Sequence, residues 1–185
     1  MPIPPFDSIL SVLPPHLGNP AVIGDLSPYG CSMAELCDRF ATTEERKAIL
    51  KGYLSLRTEL LTVGIQGFQW LAGSFLDEIE ILESRPPNDI DVVTFVARPF
   101  DPDELKKILD ANPKLVNNKD TKAAYSVDHF LLPLSTRPDL LVSMSRYWYG
   151  LFSHRRDRTW KGILLAPLHD QSDNNAAVAM LGRAP

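Results

Sequence analysis

Two aspartates stand two residues apart at the head of an apolar run, Asp89-Ile90-Asp91-Val92-Val93-Thr94-Phe95-Val96. Arg85-Pro86-Pro87-Asn88 breaks any preceding element, and the β-branched residues that follow read as a buried strand. Successive side chains of a strand alternate, so both carboxylates project from one face. Charges held that close repel, and apolar surroundings raise the cost. A chain with this strand must build an interior sheet and neutralise the pair, and a hard divalent cation with oxygen ligands does so. Taken alone, the pair also fits a plainer reading: Asp89 as a turn residue after Asn88, and Asp91 as a strand-end charge in water.

A third aspartate, Asp128, lies in a second apolar strand expected over Tyr125–Leu132. If the two strands are neighbours, three carboxylates share a face and can hold two Mg²⁺ (or Mn²⁺) ions with room for substrate phosphates. His129, next in line, alternates to the opposite layer and reads as a strand residue. Gly73-Ser74 follows directly on a strand expected over Ile65–Leu71. The glycine lets backbone N–H groups approach a phosphate, and the serine hydroxyl adds a donor.

The other elements frame these two strands. Ser32-Met33-Ala34-Glu35 is a capping box opening a helix to about Phe40, and Thr42-Thr43-Glu44-Glu45 opens a longer one to about Val63. Ile49, Tyr53, Leu56 and Leu60 recur on one face of that second helix, and Gly64 stands where a C-terminal cap belongs. Asp77–Glu83 is helical or looped. Asp101-Pro102 starts a helix that stops before Pro113. A helix over 139–149, a strand around 162–165 and a short C-terminal helix complete the order. The alternation indicates an α/β or α+β layer with a mixed sheet. Seven of the 16 prolines fall in the first 28 residues. Residues 1–31 are therefore expected to form an extended arm packed through Leu10, Val12, Leu13 and Leu17 on a single domain over 32–185.

The apolar share of 44% and charged share of 23% fit a folded globular chain. No apolar stretch reaches the ~18 residues of a membrane span, and the N-terminus lacks a secretory pattern, so the expectation is a cytoplasmic protein without membrane contact. Cys31 and Cys37 have five residues between them and no Cys/His partners nearby, which suits small buried thiols better than a metal site. The net charge of −4 hides an asymmetry: residues 1–136 carry 12 Lys/Arg against 19 Asp/Glu, and residues 137–185 carry 7 against 4. Within the basic part, Ser153–Lys161 packs His154, Arg155, Arg156, Arg158 and Lys161 together. That run is either a phosphate or acceptor contact through His154, Arg155, Arg156 and Lys161, or a solvated connection. Tyr147-Trp148-Tyr149 suits core packing or a dimer interface.

With strand, Gly-Ser, strand with Asp-Ile-Asp, helix and third aspartate in this order, the sequence resembles the nucleotidyltransferase superfamily. Leu71-Ala72-Gly73-Ser74 and Asp89-Ile90-Asp91-Val92 carry the likeness, which covers roughly residues 44–132. That superfamily includes DNA polymerase beta, small bacterial minimal nucleotidyltransferases and antiviral nucleotide-signal synthases. Leu13-Pro14-Pro15, Ser153–Asp157 and Trp160-Lys161-Gly162 are also similar to a bacterial family of such proteins. The resemblance implies a nucleotidyltransferase fold, a mixed sheet flanked by helices. It further implies a nucleoside triphosphate bound at Gly73 and Ser74, and metal held by Asp89, Asp91 and Asp128 as the catalytic set. The implied reaction is transfer of a nucleoside monophosphate to a hydroxyl of RNA, protein or nucleotide with release of pyrophosphate. The 14 residues from Phe75 to Asn88 exceed the usual gap, which suggests a loop over the site. No large domain follows to grip a polymer, so the acceptor stays open. The alternative is a non-catalytic module on the same fold, such as an antitoxin or regulatory subunit of a toxin–antitoxin or phage-defence system, acting as a homodimer or with a partner protein.

Overall fold

Strand β2 (Gly67–Ala72) sits at the centre of the single sheet in the computed structural model, which describes residues 3–97, 100–169 and 171–182. It runs antiparallel to β3 (Ile90–Val96) on one side and to β5 (Leu164–Leu168) on the other. β4 (Val127–Pro133) lies parallel to β3, and the two-residue β1 (Tyr29–Gly30) parallel to β5. The order β1-β5-β2-β3-β4 is a mixed sheet, and seven α-helices accompany it among the described residues, an α+β architecture.

Alternation divides the sheet's side chains between two layers. Leu71, Ile90, Val92, Val127, Leu164 and Ala166 face a large core with α1 (Met33–Phe40), α2 (Glu44–Thr62), α5 (Asn118–Tyr125) and α7 (Ser172–Leu181). Phe68, Trp70, Val93, Phe95, Phe130 and Leu132 face a smaller one closed by Trp148 and Phe152 of α6 (Pro138–Phe152). α3 (Ile79–Glu83) and α4 (Pro102–Ala111) fill the connections on either side of β3.

The larger layer carries a buried polar row across three strands. Gln69 Nε2 donates to Thr94 Oγ1 at 2.9 Å, which meets His129 Nε2 at 2.8 Å, and His129 Nδ1 reaches the Leu115 carbonyl at 2.8 Å. Tyr53 OH and Arg57 both donate to Gln69 Oε1. His129 is thus a satisfied interior residue on the face opposite Asp128, as alternation required.

Several boundaries differ from the sequence expectation. Ser32 and Glu35 form the reciprocal box. In the second helix the cap is Thr43, not Thr42, so position N3 is Arg46 and no reciprocal box forms. Tyr125 ends α5 instead of opening a strand: Asn117 caps that helix, and Ser126 closes it at φ 55°. The strand expected around 162–165 is β5, 164–168. The arm is more than an appendage. Its last residues form edge strand β1, and Val12 and Leu13 are fully buried, whereas Leu10 and Leu17 stay exposed. Of the expected arm and domain, residues 1–2, 98–99, 170 and 183–185 lie outside the described ones.

Candidate carboxylate and phosphate site

The parallel register of β3 and β4 pairs Asp91 with Asp128, so their side chains stand side by side on the α6 face of the sheet. The antiparallel register of β2 puts Ala72 opposite Asp91. Gly73, one residue past β2, therefore arrives against this carboxylate. It adopts φ 86°, and a Cβ there would lie 2.6 Å from Asp91 Oδ2. Glycine is required for both the turn and the approach. Ser74 then opens a 3₁₀ turn (Ser74–Leu76) whose first i→i+3 bond is Leu76 N–H to the Gly73 carbonyl. The N–H groups of Ser74 and Phe75 precede that bond and have no partner within the turn, the usual condition of a helix start.

Electrostatic strain marks the pair. Burial, with Asp89 and Asp128 adding their repulsion, pushes Asp91 up to about 6, against the pull of Lys161 and Lys122. Burial also raises Asp128, with Lys122 opposing and Asp89 adding. Asp128 Oδ1 is buried without a hydrogen-bond partner, which is costly for a carboxylate oxygen and suits a cation ligand. Asp91 and Asp128 thus fit a hard divalent ion. Asp89 lies one residue ahead of β3, and its Oδ2 is ion-paired with Lys122 Nζ from α5. Among the described residues no three His, Cys, Asp or Glu side chains are drawn together closely enough to cage a metal as they stand.

Two buried cations fix the loop that follows β2. Lys161 Nζ donates to the Gly73 carbonyl at 2.7 Å and to Asp77 Oδ1 at 2.8 Å. Arg46 donates to the Phe75 and Asp77 carbonyls, both at 2.7 Å, and pairs with Glu80. Holding these carbonyls fixes the path of the turn that carries Ser74. Arg155 binds the other Asp77 oxygen at 3.0 Å and Glu83 at 3.0 Å. Of the basic run, then, the structure brings Lys161 to the site through Gly73 and engages Arg155 with carboxylates. His154 and Arg156 remain on the surface, His154 hydrogen-bonded to the Gly150 carbonyl at 3.0 Å.

Sequence reasoning missed Asp77, Arg46 and Lys122. Asp77 is one of four acids in a short segment, and nothing in the pattern separates the buried one from its neighbours. Lys122 sits in a helix without an apolar period.

These features define a class: an α+β protein whose paired strand aspartates face a glycine turn. Residues 4–166 match the family of unknown function DUF6932, and the chain belongs to it. No curated protein and no solved structure matches. Among the described residues, no helix is long and apolar enough to cross a membrane.

Proposed function

We propose that the chain is a Mg²⁺- or Mn²⁺-dependent nucleotidyltransferase of the nucleotidyltransferase fold, moving a nucleoside monophosphate from a triphosphate to a hydroxyl. The observation that carries this reading is the Asp91–Asp128 pair in register across two parallel strands, with Gly73 packed on Asp91. A divalent ion held by Asp91, Asp128 and Asp89 supplies charge stabilisation for the phosphoryl oxygens and a lowered pKa for a bound hydroxyl. The chain's own groups do the rest. Ser74 Oγ and the first N–H groups of its turn hold phosphate, and the Lys161 and Arg46 contacts keep that turn rigid. Asp128 accepts the proton of the attacking hydroxyl. RNA, protein and nucleotide all offer that hydroxyl, and a cytoplasmic setting supplies each.

Purified protein incubated with each labelled triphosphate, Mg²⁺ or Mn²⁺ and total RNA tests the reading. Pyrophosphate release with label in RNA, protein or an oligonucleotide is expected, and Asp128→Asn should lower it at least a hundredfold. Nucleotide binding with no transfer to any acceptor would overturn catalysis.

A second reading, the non-catalytic module of a toxin–antitoxin or phage-defence system, has its own support. α6 presents Leu140, Met144, Tyr147 and Leu151 outward at helical spacing, with Tyr147 and Leu151 about half exposed. An apolar row of this kind suits contact with a second copy or a partner protein.

A further inference from the structure

We propose that Lys122 is a built-in counter-ion for the carboxylate group, displaced when a divalent cation enters, so that the site exchanges an ammonium for a metal. The inference rests on the metal-dependent reading above. Three aspartates at one sheet edge repel one another, and the chain must fold around them before any metal arrives. Lys122 answers that need, its Nζ reaching from α5 to pair with Asp89.

Its placement distinguishes it from the other cations nearby. Lys161 is almost fully buried and tied to the Gly73 carbonyl and Asp77. Arg155 is tied to Asp77, Glu83 and Asp157. Lys122 is 54% exposed at its side chain and holds Asp89 alone among the described ion pairs, on a flexible stem that can swing into water. The Asp89 side chain is only 17% exposed, so the ammonium can leave for water while the carboxylate left behind needs another cation. A divalent ion brings twice the charge to the same oxygens and completes the unpartnered Asp128 Oδ1.

The test is Mn²⁺ binding to purified protein, followed by electron paramagnetic resonance, together with melting in EDTA. Lys122→Met should bind Mn²⁺ about tenfold more tightly than the natural chain and melt lower without metal, while Lys122→Arg should bind no more tightly than the natural chain. Unchanged or weaker binding by Lys122→Met would overturn the exchange and leave the metal site standing, provided that Asp128→Asn loses Mn²⁺. Equal Mn²⁺ binding by the natural chain and Asp128→Asn, or none by either at millimolar metal, would overturn both the exchange and the metal-dependent reading. Tightened binding without nucleotide transfer would support the exchange and remove only the transferase.

Discussion

Asp91 keeps its proton to about pH 6 in the folded chain, against about 3.9 for an unperturbed aspartate. Between these values the folded state holds more protons than the unfolded one, so stability falls as pH rises through that window. Above it, the ionised carboxylate costs the metal-free fold about 2 kcal/mol, allowing for its partial exposure. Asp91→Asn should therefore raise the metal-free melting temperature by about 5 °C at pH 7.5 and leave it nearly unchanged at pH 4. Calorimetry in EDTA at both pH values checks this. A fall in stability at both would mean that Asp91 serves a structural hydrogen bond. His129 works in the opposite sense: burial lowers it to about 4, so its contribution to stability is lost as pH falls from about 6.5 towards 4. The two residues sit on opposite faces of neighbouring strands, and their windows overlap between about pH 4 and 6, where the two opposed slopes largely cancel.

The position of α5 decides where Lys122 and the first residue of β4 lie, and one glycine permits it. A Cβ on Gly52 of α2 would collide with the Tyr125 carbonyl oxygen at the end of α5. Gly52→Ala has good helix propensity in isolation, yet it should destabilise the fold by about 1–3 kcal/mol through that collision. Urea denaturation measures this, and a neutral or stabilised variant would show that α5 shifts freely on α2. This contact also explains what the sequence concealed. β3 was legible because its apolar run fixes both the strand and the face of its aspartates, and α2 because Ile49, Tyr53, Leu56 and Leu60 repeat at helical spacing. α5 buries only Thr121 and Tyr125 and has no such repeat, so Tyr125 looked like the start of a strand. β1 is two residues long and shows no alternation at all; only its pairing with β5 makes it a strand. The aspartates of the site were readable from their own strands. Lys122, Asp77 and Arg46 were not, because each acts through a contact made far away in the chain.

The N-terminal arm holds two regions beside the site. The Ser11 carbonyl accepts from Glu78 N–H at 2.9 Å, beside the buried Asp77. The Leu13 carbonyl accepts from Gly162 N–H at 2.7 Å, next to Lys161, and the Pro14 carbonyl accepts from Tyr29 OH at 2.7 Å. The arm therefore grips both partners of the Asp77–Lys161 contact from outside, and Leu13, fully buried, anchors the grip in the main core. Leu13→Ala should cost about 2–5 kcal/mol, seen as a lower denaturation midpoint. Because the same segment holds the residues that fix Gly73, Mn²⁺ and triphosphate affinity should fall several-fold even at temperatures where the variant is fully folded. Ile9→Ala, at an arm residue 88% exposed, should leave both quantities unchanged. A destabilised Leu13→Ala with natural ligand affinity would reduce the arm to a fold staple. A variant as stable as the natural chain would contradict the burial of Leu13 and, with it, the arm's place in the domain.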